Sequence, residues 1–551
     1  MSKWWPVVIL GCAQFVMVLD STVMNVSISK VVSDLHTTVA AMQTAITFYT
    51  LTMAAVMLLG AKLGDVWGRR RTLVIGAIVY SIGSLMTGLS PNFVTLFLGW
   101  SIIEGLGAVL VIPAIAALVA DNYSGRQRVT AFAVIGAVSG AAVAAGPLIG
   151  GYLTTYLSWR YVFIGETVIM IAVLLFARVI ADSSLPARLR IDVWSVLSSA
   201  AGLVLIVFGM LQSKTWGWVV PKVPLTIGGV TVAPFGLSPV PFLIAAGIAL
   251  LWLFLRRQRG LAAVGRPPLL DVTMFSIARL RSGLSVLGAQ YAVTAGLFFM
   301  VPVYLQMTLG LDALTTGIRV FPLSIALIVF SIVGTVLTRF WSPRRIVRIG
   351  QLVLVASILA LLPSVSTDLK AVPFGIGMFF AGAALGLLAS QLGNVNMSSV
   401  SEERSSEVGG LQGVFQNLGS SFGTALIGSI LIASLGSSFA GAVSASTLPD
   451  SVKSTVLQQT QNGVAIVPTQ AVPRIAEQAG LSGAEGDTLR SLYTHAQLGS
   501  LQTALFALAV IAALALFFSR SIPSSVLGAA PRSGPEADGA SPEPAADKRR
   551  R

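Results

Sequence analysis

Gly60-Ala-Lys-Leu-Gly-Asp-Val-Trp-Gly-Arg-Arg-Arg71 joins two apolar runs, residues 44–63 and 73–90. Its glycines, single carboxylate and closing arginines have the composition of a tight loop. The runs on either side come near the roughly 20 residues a helix needs to cross a bilayer. The same alternation continues outward in both directions. Apolar runs fall at 5–28, 44–63, 73–90, 94–119, 130–152, 162–178 and 193–211, then at 239–255, 283–305, 315–338, 347–363, 371–393, 409–433 and 499–519. That makes about fourteen candidate spans. The first run is long, contains Asp20 and lacks a small-residue cleavage site, so it reads as a retained helix and not a signal peptide.

Composition agrees. Of 551 residues, 55% are hydrophobic and 11% charged, with a mean hydropathy of +0.83. A soluble domain carries about 25% charged residues, so a soluble enzyme or a nucleic-acid binder is excluded. The net charge of +14 has a better cause than nucleic acid, because cytoplasmic loops of membrane proteins collect Lys and Arg. With the N-terminus inside, only nine of the 36 basic residues face outward: Lys30, Arg160, Lys214, Lys222, Arg319, Lys370, Lys453, Arg474 and Arg490. An even span count then puts both termini in the cytoplasm of an inner-membrane protein. One cysteine (Cys12) and two distant histidines (His36, His495) make no metal cluster, and no phosphate-binding G-x-x-x-x-G-K-[ST] occurs. No metal or cofactor is expected, and ATP as a direct energy source has no support in the sequence.

The chain divides into an N-terminal six-helix half (1–180), two inserted helices (190–258), a C-terminal six-helix half (280–520) and a disordered cytoplasmic tail (522–551). Between the inserted helices, two β-prone runs flank Gly228-Gly229, which reads either as an outer hairpin or as a Pro-rich linker. Residues 434–498 read as a long outer loop rich in Ser, Thr and Gln. Gly60–Arg71 has an echo in Gly334–Arg345, where Gly, Leu, Trp, Arg and Arg recur at an offset of 274. The two stretches end the second and tenth spans. An even separation preserves direction, so the halves are parallel repeats.

Gly60–Arg71 resembles the loop between helices 2 and 3 of the major facilitator superfamily, G-x-L-x-D-x-x-G-R-[KR]-x. In that family the loop is a latch between inward- and outward-facing states, which the resemblance assigns to Gly60, Asp65, Gly68, Arg69, Arg70 and Arg71. Gly64 and Gly68 permit a tight turn, and Asp65 can cap a neighbouring helix. Residues 140–153 are similar to the helix-5 G-P-x-x-G-G motif of antiporters, with Gly146, Pro147, Gly150 and Gly151 in its positions. Gly136, Gly140 and Ala144 share a small-residue face. Leu19-Asp-Ser-Thr-Val-Met-Asn25 resembles the helix-1 motif of the fourteen-span drug:proton antiporters of EmrB/QacA type. Ser158-Trp-Arg-Tyr-Val-Phe163, Tyr304-Leu-Gln306 with Gly310, and Gly317-Ile-Arg319 with Pro322 match further stretches of that family. The implied fold is all-α, with fourteen transmembrane helices arranged as two six-helix halves plus two inserted central helices.

One departure bears on mechanism. The family's helix-4 motif R-x-x-Q-G-x-G is here Ser101-Ile-Ile-Glu-Gly-Leu-Gly107, and Glu166 stands where the family often has Asn. Only Asp20, Glu104 and Glu166 lie well within apolar spans, where an ionisable group costs about 2.5–3.5 kcal/mol to insert and defaults to a functional hypothesis. Burial favours the protonated form of a carboxyl and a passing cation favours the charged form, so these three are the proton-coupling candidates. Ser101 and Glu104, three residues apart, share a helix face, which aims Glu104 where the missing arginine would point. A substrate pocket between the halves would draw on Asn25, Tyr291, Phe298, Phe299, Tyr304, Gln306 and Arg319. The expected function is proton-coupled efflux of amphipathic drugs by a monomer in contact with membrane lipids. The alternatives are an exporter of one endogenous metabolite, antibiotic or lipid, a non-transporting sensor, and a lipid-modifying enzyme, for which no nucleophile or metal motif is present.

Overall fold

A computed structural model describes residues 3–182, 192–221, 225–227, 230–232, 234–400, 404–460 and 464–524. Most of the expected tail, including Lys548–Arg551, lies outside the described residues. Fourteen helices among them are long and apolar enough to span a membrane. The N-terminal half holds α1 (Trp5–Asp34), α2 (Val39–Trp67), α3 (Arg69–Gly88), α4 (Phe93–Asn122), α5 (Arg126–Tyr156) and α6 (Arg160–Val179). The inserted pair is α7 (Val193–Trp216) and α8 (Pro239–Ala263). The C-terminal half holds α9 (Ala278–Thr308), α10 (Ala313–Leu337), α11 (Pro343–Ser364), α12 (Ala371–Met397), α13 (Glu407–Ala445) and α14 (Gly483–Ser521). The protein is a multi-pass membrane protein.

Local chemistry starts these helices where the polar residues fall. Thr38, Asn92, Asp192, Asp312 and Ser342 each cap a helix N-terminus through the side chain. Ser482 and Glu485 form a reciprocal capping box. That box begins α14 well before its apolar run, and α13 also runs past its own. Each has 39 residues, about 58 Å of helix against a hydrocarbon core of about 30 Å. The outer segment 434–498 is therefore largely helical, extending α13 and α14 and carrying two short helices, Asp450–Thr460 and Val472–Gln478. Between α7 and α8, β1 (Leu225–Ile227) pairs antiparallel with β2 (Val230–Val232), Ile227 opposite Val230. This is the hairpin reading, although its glycines lie outside the described residues.

The main pairings of the first half recur eight helices later: α3 with α4 and α11 with α12, α2 with α4 and α10 with α12, α1 with α5 and α9 with α13. The echo at offset 274 has a physical cause. Gly60 leaves no room for a Cβ against Val109 of α4, and Gly334 leaves none against Ser390 of α12. Both glycines let equivalent helices touch at the same place in each half.

The halves meet along α1–α9, α2–α13 and α5–α10. One end of the bundle carries the start of α1, the α2–α3 turn and the exit of α14. There, the Tyr123 hydroxyl bonds to the Lys3 carbonyl, and Arg344 Nε to the Ile522 carbonyl at 2.7 Å. This is the arginine-rich end. At the opposite end the halves are tied together. Gln306 of α9 donates to the Val26 carbonyl (2.8 Å) and accepts from the Ser29 amide (3.2 Å), and the Leu314 amide donates to Thr155 Oγ1 (3.0 Å). α5 and α10 press together at Gly151 and Gly317, then part towards the arginine-rich end, where nothing stands within 4 Å of a Cβ built on Gly136. α7 bridges the α2–α13 seam. Lys214 donates to Gln43 Oε1 (3.2 Å), Gln43 donates to the Thr424 and Ala425 carbonyls (both 3.1 Å), and Ser429 donates to the Met210 carbonyl.

Candidate functional site

Inside the N-terminal half, α4 changes winding. Phe97–Glu104 is π-helical, a wider turn that commonly marks functional sites. The bulge separates side chains that an α-helix would stack. Ser101 donates to the Ala45 carbonyl of α2 at 2.8 Å, whereas Glu104 meets Asp20 of α1 and Glu166 of α6. The expectation of a shared Ser101–Glu104 face therefore does not hold, because i,i+3 neighbours diverge when the turn is enlarged. Each of the three acids places one carboxyl oxygen within 4.8 Å of the others. They are 0%, 0% and 1% exposed. Among the described residues none of them has a salt-bridge partner.

Donors reach only part of the cluster. Trp100 Nε1 donates to Asp20 Oδ1 (2.9 Å), and its ring stacks on Tyr49 at 5.0 Å. The Tyr80 and Ser84 hydroxyls both donate to Glu166 Oε2 at 3.2 Å. Asp20 Oδ2, Glu166 Oε1 and both oxygens of Glu104 are buried with no donor in bonding geometry. The Tyr49 hydroxyl also approaches Asp20 and the Tyr80 hydroxyl approaches Glu104, but without a well-formed hydrogen bond to any of these four oxygens the arrangement is unfavourable for three carboxylates. Protons on the carboxyls would supply the missing donors; a small cation chelated among the oxygens is the other way to offset the charge. Trp100 points a donor-only N–H into the site, which disfavours a cation there.

Sequence reasoning named the three acids but not Tyr49, Tyr80, Ser84 or Trp100. Signals existed at helical spacing, since Tyr80 and Ser84 are i,i+4 on α3 and Trp100 and Glu104 are i,i+4 on α4. Aromatic and hydroxyl residues in apolar runs read as packing until a neighbouring carboxylate is placed.

The latch residues lie at the arginine-rich end. Gly68 joins α2 to α3 at φ 91°, a backbone that L side chains avoid; Gly64 is inside α2 and takes no part in the turn beyond accepting from the Gly68 amide. Arg69 pairs with Asp121 at the end of α4 (2.6 Å). The Arg70 amide donates to Asp182 (2.8 Å) and its guanidinium to the Ile180 carbonyl (3.2 Å). Arg71 is exposed. Asp65 caps no helix and makes no ion pair among the described residues. The carboxylate that forms an ion pair with Arg69 is Asp121, a residue with no place in the quoted motif.

The helix-5 glycines connect the acid cluster to the other half. Gly146 has no space for a Cβ against Thr22 of α1, with the Leu19 carbonyl 3.7 Å away, and Gly150 lies against Val23. These contacts hold the turn of α1 that carries Asp20. On its other side α5 meets α10: Gly151 abuts Ala313 and Leu314, and Gly317 abuts the Pro147 carbonyl. Close approach comes from this segment and not from Gly136, with Gly140 only touching Ile328.

The pocket candidates scatter. Gln306 sits on the α1–α9 seam. Asn25, buried nearby on α1, donates to the Ser21 carbonyl and leaves Oδ1 without a donor. Tyr304 points away, donating to the Ser364 and Ser366 carbonyls (3.1 and 2.7 Å). Phe298 and Phe299 are buried in the core, Tyr291 is half-buried, and Arg319 is half-buried with Nε unpaired.

Two parallel six-helix halves with a seam between them, and ionisable groups buried in one half, define a membrane transporter of the rocking type. The chain belongs to the Major Facilitator Superfamily, whose sequence profile matches residues 10–424; it is a transporter and not an enzyme. It is similar to the puromycin resistance protein of Streptomyces alboniger, 31% identical over 66% of this chain and 69% of that one. A tetracenomycin C resistance and export protein of Streptomyces glaucescens is 28% identical over 81% of this chain and 79% of its own. In fold the chain resembles a bacterial homologue of the human lysosomal transporter Spinster in an inward-facing, unoccupied conformation (TM-score 0.60, 17% identity, 94% and 97% covered).

Proposed function

We propose that this chain exports amphipathic small molecules of the antibiotic or drug class across the bacterial cytoplasmic membrane in exchange for protons, by alternating access. The carrying observation is the enclosed Asp20–Glu104–Glu166 cluster, four of whose oxygens lack a well-formed hydrogen bond and call for protons. Its α1 segment is coupled through Gly146 and Gly150 to α5, and through Gly151 and Pro147 to the C-terminal half. Loss of a proton from the cluster changes the packing of α1 against α5, and α5 carries that change to the seam. The three acids are the coupling groups, with no metal or other cofactor. Gln306, Asn25 and Arg319, along the seam, are the polar part of the substrate path.

The excess of Lys and Arg on the loops of the arginine-rich end supports a cytoplasmic placement of that end and of both termini. The seal at the opposite end and the parting of α5 from α10 support an inward-facing state. A monomer surrounded by lipid is sufficient, since both halves lie in one chain. Relatives named for resistance to puromycin and for tetracenomycin C resistance and export support the drug class. They equally favour a second reading, export of one self-made antibiotic.

Everted vesicles separate these readings: a panel of cationic and neutral dyes with puromycin should be taken up at the expense of an imposed pH gradient. Uptake of a single compound would favour the narrow exporter. Uptake indifferent to the gradient would refute proton exchange.

A further inference from the structure

The acid cluster is sealed from water, yet a proton exchanger must refill it. Ser84, which donates to Glu166, begins a series of buried hydroxyls: Ser84 and Thr87 on α3, and Ser90 two residues past its end, 0%, 0% and 1% exposed. Ser84 and Thr87, three apart on the helix, are neighbours with Cβ atoms about 5–6 Å apart, and the Ser90 amide bonds back to the Thr87 carbonyl at 3.2 Å. Ser84 faces α6, bonding to the Phe163 carbonyl at 3.0 Å as well as to Glu166. The Thr87 hydroxyl, bonded to the Gly83 carbonyl, faces Gly99 of α4. The Ser90 hydroxyl is buried and has no partner at all. Arg160 holds the Ser90 carbonyl at 2.9 Å and approaches Asp34 at 3.7 Å, where both side chains reach solvent at the end opposite the arginines. A fully buried, unpartnered hydroxyl just past the end of a helix costs stability unless it serves a path.

We propose that Ser84, Thr87 and Ser90 form a proton path from the Asp34–Arg160 mouth to Glu166, which rests on the reading of the cluster as the proton site. A water bridges each step between hydroxyls one turn apart. Each hydroxyl accepts a proton on a lone pair as it releases its own to the next acceptor. One proton is added to a carboxylate oxygen of Glu166, the chain keeps its atoms, and each reversed O–H rotates back before the next passage. Glu104 and Asp20, within reach of Glu166, share it. The path ends at the face from which an exporter's protons arrive.

The test uses full-length protein in two settings, with Thr87→Val and Ser90→Ala, alone and together. In proteoliposomes, substrate transport driven by an imposed pH gradient should fall by about a hundredfold in the double variant, with KM unchanged, the low end of what a positioned proton-transfer group contributes. In detergent, the number of protons released on substrate binding should match the parent, because the cluster is intact. Thr87→Ser, which keeps the hydroxyl, should restore the rate in the Thr87→Val background position. Parental turnover in the double variant overturns the path, as does a loss in which KM, proton release and thermal stability all shift together. A parent that releases no protons on substrate binding overturns the cluster reading and the path with it, and that failure is visible before any variant is made.

Discussion

Glu104 has two buried oxygens, neither in a well-formed hydrogen bond, with the Tyr80 hydroxyl approaching, so its neutral acid is the form that suits its surroundings, with the O–H given to Asp20 or Glu166. Gln at this position supplies a permanent N–H donor of the same shape. Glu104→Gln should therefore retain transport while releasing fewer protons per substrate, and its pH optimum should shift or its substrate range narrow towards uncharged drugs. Asp20→Asn should abolish proton-coupled efflux, because Asp20 alone links the cluster to the α1 turn gripped by α5. Titrated proton release from purified protein checks both, and parental release in both variants would move the carrier to Glu166. At the latch, the structure redirects attention from Asp65 to Asp121. Asp121→Asn removes the Arg69 pair, which is partly buried with side chains 28% and 14% exposed. The expected cost is about 1 kcal/mol, roughly fivefold in the balance between states. Transport should fall clearly in this variant and less in Asp65→Asn; equal losses would mean that Asp65 pairs in the other state.

The helix-5 motif is a wedge, narrow on two sides. Gly146→Leu would drive a side chain into Thr22 and displace Asp20's turn, at about 1–3 kcal/mol for overpacking of this kind. Its expected effect is uncoupling or loss of export, read as the ratio of substrate moved to protons moved, and an unchanged ratio would leave the motif as packing only. The inserted pair is a second element with a definite attachment. Lys214→Met removes the bond to Gln43, about 1 kcal/mol. It should speed hydrogen exchange around Gln43 and Thr424 without affecting the acid cluster. At the other end of α7, a bidentate bond from Arg257 (2.6 and 2.8 Å) holds Asp192 well below the usual carboxylate range. A lowered folded-state value means that the pair's contribution is complete above the ordinary Asp value. It is lost only as pH falls below that value, so acidification to pH 5 should leave the α7–α8 junction intact by limited proteolysis.

Across the whole molecule, the two ends behave differently. The end opposite the arginines is fastened by Gln306, by Thr155 with Leu314, and by Gln43 braced from α7, whereas α5 and α10 part at the other end. Alternating access requires the first set to release while the arginine-rich end closes. With Cys12 replaced by Ser, a disulfide between Thr155→Cys and Leu314→Cys should form readily in the resting protein and stop transport. Reduction should restore it. Full transport with the bridge in place would show that this seam does not open in the cycle. The acids also divide unevenly: all three intramembrane carboxyls are in the first half, and the spans of the second contain none beyond the terminal turns of α13 and α14. On the proposed reading, one half handles protons and the other is moved through the α5–α10 contact.

Span number, the parallel repeat and the family were legible in the chain because each rests on local or periodic chemistry: apolar runs as long as a bilayer is thick, charge bias between loops, and glycines recurring at a fixed offset. The same locality made Asp20, Glu104 and Glu166 conspicuous, since charge in an apolar run is visible without knowing its neighbours. Their meeting was not visible, because it depends on α1, α4 and α6 converging and on a π-helical turn that no residue pattern announced. The same holds for Asp121 as the partner of Arg69, for the burial of Tyr304 away from the seam, and for the polar outer segment that continues α13 and α14 as helix. Partners far apart in sequence are chosen by packing. Only the folded chain brings Glu104 to two other carboxyls and leaves it without a well-formed hydrogen bond.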